Sequence, residues 1–138
     1  MSPEVAVQRA VARAERILPG TPAPDGKRDP RWQAIIRLGE FIETQPEALW
    51  PFVERWGKHA SADLRTAVAT CLLEHLLECH FELLFPRVRR AALQSPRFAD
   101  TFAGCWQLGQ AKEPKNAARF KRLESQLRRT RAAKRRAT

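Results

Sequence analysis

The sequence predicts an all-α fold, and three observations predict it. Residues 61–81 place polar side chains at Thr66, Thr70, Glu74 and Glu78, four apart, with Leu, Val, Ala and Cys nearly everywhere else. A helix with one thin polar line is gripped by neighbours on its other sides. The surrounding chain repeats that plan: Arg31 to Arg65 is 34 residues, Arg65 to Arg97 is 32, and Pro51 to Pro86 is 35. A period in the low thirties shared by helix pairs marks an α-solenoid. Proline also opens the repeated units, at Asp29-Pro30-Arg31 and Ser95-Pro96-Arg97, where a cap followed by an N1 proline starts a helix. The expectation is a short right-handed solenoid of two to three antiparallel helix pairs, ending in a basic C-terminal helix and tail.

Residues 2–18 open with Ser2, Pro3 and Glu4, then carry Val7, Val11, Ala14 and Leu18 at helical spacing. This predicts a short amphipathic helix stopped by Pro19-Gly20. Residues 19–30 hold four prolines and two glycines and read as a linker. From Asp29 a helix keeps Gln33, Arg37, Glu40 and Thr44 in a polar stripe, and a second, about 47–59, contains Pro51. Asp63-Leu64-Arg65 starts the central helix, whose partner spans about 82–94 around Pro86. A third copy, 96–110, has Phe98, Phe102, Trp106 and Leu108 as its apolar face. The four tryptophans, Trp32, Trp50, Trp56 and Trp106, sit among Ile, Phe and Leu and read as core. Past Pro114, Phe120, Leu123 and Leu127 predict a closing helix over 116–127. Beyond it, Arg128–Arg136 has no apolar residue but alanine and reads as a mobile tail.

Residues 31–39, Arg-Trp-Gln-Ala-Ile-Ile-Arg-Leu-Gly, resemble the second helix of a HEAT repeat, where an arginine precedes an alanine by three and Leu-Gly follows. Asp63-Leu64-Arg65 with Val68 and Leu72 matches more loosely, and Ser95-Pro96-Arg97 more loosely still. Pro51 and Pro86 stand where HEAT first helices often carry a proline. The resemblance covers about residues 29–110. It implies stacked antiparallel helix pairs with the second helices lining a concave face, a scaffold role, and no catalytic residues. Two regions follow: a HEAT-like domain over 1–111 and a basic segment over 112–138.

Composition sets further bounds. Hydrophobic residues make up 43% of 138, ordinary for one globular domain, and no apolar run nears the roughly 20 residues a membrane helix needs. The N-terminus lacks a signal-peptide layout and the three cysteines lack CxxC spacing, so a reduced, cytoplasmic protein is expected. The net charge of +10 is uneven. Residues 1–111 carry 14 Lys and Arg against 13 Asp and Glu, whereas 112–138 carry 11 against 2.

Candidate sites divide accordingly. The stacked stripes predict a protein-binding groove lined by Gln33, Arg37, Glu40, Thr44, Thr66, Thr70, Glu74, Glu78, Asp100, Gln107 and Gln110. Four carboxylates against one arginine repel nucleic acid and suit a basic or neutral protein segment. The repair glycosylases built on HEAT-like repeats use a basic groove, which this one is not. The stripes read equally as an ordinary solvated face. In the tail, Arg128, Arg129, Arg131, Lys134, Arg135 and Arg136 suit phosphates or another acidic partner, and equally serve solubility alone.

Cys71, His75 and Cys79 recur at i, i+4 and i+8, with Cys105 a repeat away. These are zinc-ligand types, but small cysteines also fill tight helix seams, and the expectation is no metal and no cofactor. His75-Leu76-Leu77-Glu78-Cys79 falls one histidine short of an inverted zinc-protease helix. No phosphate loop or nucleophile elbow is present. The function expected is a non-enzymatic protein-binding adaptor, with nucleic-acid association through the basic tail as the alternative.

Overall fold

A computed structural model describes residues 2–22 and 28–137. The middle of the 19–30 linker, residues 23–27, lies outside the described residues, as do Met1 and Thr138 at the end of the tail. Among the described residues there are eight α-helical segments, two of them joined by a π turn so that they make seven helices, and no strand. None is long and apolar enough to cross a membrane.

Helix α1 (Pro3–Ile17) starts where expected: the Ser2 hydroxyl accepts the Val5 N–H, Pro3 fills the first turn, and Val7, Ala14 and Leu18 are buried. Helix α2 (Pro30–Leu38) is capped by the Asp29 carboxylate, which accepts the Arg31 N–H at 2.8 Å, and tightens into a 3₁₀ turn at Gly39–Phe41. Helix α3 (Pro46–Trp56) contains Pro51, and α6 (Phe81–Gln94) contains Pro86. Both prolines fall in the second turn of their helices, so each gives up one intrahelical bond, to the carbonyls of Glu47 and Glu82.

The central helix begins as α4 (Ala62–Val68), passes through a π turn at Ala69–Leu73, and continues as α5 (Glu74–Cys79). Its cap is Ser61, whose hydroxyl accepts the Leu64 N–H, with Asp63 already in the first turn. Four-residue steps overshoot a full α-helical turn by about 40°, so a stripe of that spacing drifts around the axis. The π turn takes up one extra residue and pulls the downstream stripe back. This helix lies between α2 on one side and α7 (Pro96–Ala103) on the other, with α3 packed on α4 and α6 on α5 and α7. Leu72, Leu73, Leu76 and Leu77 are fully buried there, beside Phe52, Phe81, Phe98 and Phe102.

Two elements depart from expectation. The third helix ends at Ala103, capped at Gly104, instead of running to 110. Residues 104–113 instead turn back over α5, with a 3₁₀ turn at Gly109–Lys112. Trp106, expected in the core, is 73% exposed as a result, whereas Trp50 and Trp56 are buried and Trp32 donates its indole N–H to Asp63.

The closing helix α8 (Pro114–Ala137) is 24 residues long and continues ten residues past the expected end at Leu127. Ala, Arg and Lys are strong helix formers, so the segment propagates a helix that Phe120 and Leu123 have already docked. Phe120 packs on Phe102 with centroids 4.7 Å apart. Asn116, where the helix was expected to begin, lies inside it and donates to the Gln110 carbonyl.

Candidate functional site

The eleven residues expected to line one groove fall into four places. Gln33 and Arg37 border a shallow depression against α1. Glu40, Thr44 and Glu78 meet in a second hollow of about 350 Å³ that also takes in Glu43, Cys71, His75 and Cys79. Thr66 and Thr70 direct their hydroxyls to carbonyls of their own helix, Ala62 and Thr66. The others are spent on the fold. Glu74 is buried and accepts the Trp106 N–H at 3.1 Å. Gln107 donates to the Ala111 carbonyl. Gln110 accepts the Phe81 N–H and donates to the Cys79 carbonyl, bridging the break between α5 and α6. Asp100 faces the other way, paired with Arg131 of α8 and 3.9 Å from Arg65.

Cys71, His75 and Cys79 do share one hollow. His75 Nδ1 lies 2.9 Å from a Glu78 oxygen, and its Nε2 lies 3.7 Å from Glu74. Burial pushes the thiols of Cys71 and Cys79 up, helped at Cys71 by Glu74 and at Cys79 by Glu78 and Glu43. Cys105 sits apart, donating to the Ala69 and Thr101 carbonyls, and burial raises it well above the ordinary thiol value. Thiols held protonated are poor ligands and poor nucleophiles. Among the described residues, no group of three or more His, Cys, Asp or Glu is arranged to hold a metal ion. His59 Nδ1 accepts the Ser61 N–H, joining the end of α3 to the start of α4.

The basic residues of the C-terminal segment gather on one long helix. Helix α8 carries ten Lys and Arg against Glu124 alone. Arg128, Arg129 and Arg136 are exposed, Arg128 touching Ser125, while Arg131, Lys134 and Arg135 border a cleft of about 390 Å³. That cleft is floored by Ala92, Leu93, Pro96, Ala99 and Leu127.

Farther along the same helix is a site that the sequence alone did not expose. Arg89 and Arg90 of α6 face Arg119 and Arg122 of α8 across a cleft of about 660 Å³. Phe85, Pro86, Leu93 and Leu123 form its apolar part, and no carboxylate lines it. The two clefts meet at Leu93 and Gln94. Arg119 is held from both sides: Glu82 accepts its Nη1 at 3.1 Å, and its guanidinium lies 5.4 Å and 5.1 Å from the ring centroids of Phe81 and Phe85. Elsewhere on α6, Arg87 is paired with Glu47. The cleft arginines lie about thirty residues apart in sequence, and only the docking of Phe120 brings them together. The arginines flanking the Phe120–Leu123 stripe were the available signal.

No protein-family model, curated protein or solved structure matches the chain.

Proposed function

We propose that the chain is a non-enzymatic helical-repeat module that associates with nucleic acid through the basic face of α8. One observation carries this reading: the C-terminal charge forms an ordered 24-residue helix with ten cations and one carboxylate. A charged rod of this kind offers cations to several phosphates at once, giving binding that is strongly salt-dependent and blind to sequence. HEAT-like pairing of the helices behind it is supported by two recurring ion pairs: Arg31 to Asp63 at 3.2 Å and Arg65 to Asp100 at 3.9 Å. In each, an arginine in the first turn of one helix meets an aspartate of the helix that opens the following unit. The test is binding of labelled nucleic acid across a salt series by the full chain and by R128E/R129E/R136E. The triple variant is expected to bind at least about tenfold more weakly with a shallower salt slope. Equal binding by the two proteins removes the reading.

A second reading, a protein-binding adaptor, is favoured by Trp106. Its indole is 73% exposed, while its backbone is tied to Glu74, whose neighbour His75 lines the acidic hollow of Glu40, Glu43 and Glu78. A large aromatic side chain on an anchored backbone is a typical hot-spot anchor, and the carboxylates beside it suit a basic segment. Capture of one partner by the wild type, lost with E40K/E78K and with Trp106→Ala, is the result expected of an adaptor. Capture that survives both changes rules this surface out.

A further inference from the structure

We infer that the cleft between α6 and α8 is a second nucleic-acid contact, a clamp for the phosphodiester backbone of a duplex, distinct from the exposed C-terminal arginines. The inference rests on the nucleic-acid reading above and adds a site to it.

The cleft's cations are all arginines. A guanidinium presents a planar fork of donors that matches phosphate oxygens in pairs and is more weakly hydrated than an ammonium. Arg89, Arg90 and Arg122 are exposed and, among the described residues, spend no hydrogen bond or ion pair on the protein. Arg119 is already positioned by Glu82 and the two phenylalanine rings, so less side-chain freedom is lost when an anion arrives. With no carboxylate in the lining, the cleft concentrates one sign of charge in a concave, apolar-walled site, an arrangement that focuses the field.

Shape narrows the occupant. From Arg119 to Lys134 the cationic side of α8 runs about 22 Å at 1.5 Å per residue, the length of about six base pairs along a duplex axis at 3.4 Å each. Single-strand sites combine such cations with exposed aromatic platforms for the bases. The one aromatic ring here, Phe85, is buried in the floor. A membrane-surface site needs a row of apolar side chains that protrude into the headgroups; here Phe85 and Leu123 are covered, and of the large apolar side chains lining the cleft Leu93 alone is exposed, at 39%. A duplex, which offers its phosphates outward and its bases inward, fits a clamp of arginines without a stacking surface.

The experiment measures fluorescence anisotropy of a labelled DNA duplex, and of one of its strands alone, across a salt series. It uses the full chain, R89E/R90E/R122E and R128E/R129E/R136E. Far-ultraviolet circular dichroism checks that each is folded, and R89Q/R90Q/R122Q keeps the test open if charge reversal unfolds the protein. The expected result is duplex binding weakened at least about tenfold in the cleft variant. Its salt slope should fall by two to three units, at about 0.9 per phosphate lost, with the Gln variant weakened in the same direction. If the cleft variants match the wild type while the C-terminal variant loses binding, the clamp is overturned and the reading of α8 stands. If the wild type itself shows no salt-dependent binding, both fall. Tighter binding to the single strand than to the duplex overturns the duplex assignment.

Discussion

The carboxylate of Glu74 accepts the backbone N–H of Trp106 at 3.1 Å, across 32 residues of chain. Glu74 is 7% exposed. A residue spaced as though it lined a solvated stripe instead pins the segment that leaves α7. Truncating it leaves a buried donor without its charged acceptor, at a cost of about 2 kcal/mol. Glu74→Ala is expected to lower the unfolding free energy by that amount, read as a fall of about 1 M in the urea midpoint, and to shift the emission of the Trp106 indole. Glu74→Gln, which can still accept, should lose less. Equal losses in the two variants would show that the hydrogen bond is not what holds the segment.

Gly109 adopts φ +48°, and a Cβ there meets Glu78 Cγ at 2.7 Å and the Glu78 carbonyl oxygen at 3.0 Å. Both the backbone strain and the contact oppose any side chain. Gly109→Ala is expected to destabilise the protein by about 2 kcal/mol, measured by chemical denaturation. A neutral result would mean that the turn relaxes away from Glu78.

Arg31 is 5% exposed and reaches the carboxylates of Asp29, at 2.9 Å, and Asp63, at 3.2 Å. The hydrogen bond it donates to Asp29 raises its already high pKa, so the guanidinium stays charged. Asp63 is half exposed and its share is screened. Arg31→Lys, which keeps the charge but loses the fork, is expected to cost about 1–2 kcal/mol. An unchanged melting temperature would place the stabilisation in the Asp29 cap alone.

The three buried or half-buried thiols give an alkaline signature. Each is raised in the folded state, chiefly by burial. The unfolded chain therefore releases these protons first. Their contribution to stability is full below the ordinary thiol value and is lost as pH rises through the folded values. Stability should fall on raising pH above about 9, and Cys105→Ala should flatten that fall most. Reaction with a thiol reagent at neutral pH should leave Cys105 to last, and early labelling of Cys105 would contradict its burial.

Much of the helical framework was legible because its signals are local. Ser2, Asp29 and Ser95 cap the helices they were expected to cap, each followed by a proline in the first turn. Trp106 was misplaced because Phe98, Phe102 and Trp106 keep helical spacing straight through Gly104, and the glycine that ends α7 outweighs that periodicity. The length of α8 was hidden because charge repulsion argued against order, while Ala132, Ala133 and their basic neighbours each favour helix. The expected groove came apart because Glu74 and Gln110 satisfy backbone groups about thirty residues away, a relationship that no spacing rule reports, while Gln107 turns to the Ala111 carbonyl of its own segment.

The π turn at Ala69–Leu73 gives the central helix a fixed phase. Deleting Thr70 would remove the residue that the wide turn takes up, so the turn could close as ordinary α-helix with Glu74–Cys79 kept in nearly the same phase relative to Ala62–Val68. Glu74 would still reach Trp106, and Leu76 and Leu77 would stay in the core. The most apolar stretch of the chain thus holds one residue that it can lose with little rotation. The change is one of length, about 1.5 Å along the axis, which the 104–108 crossing can take up.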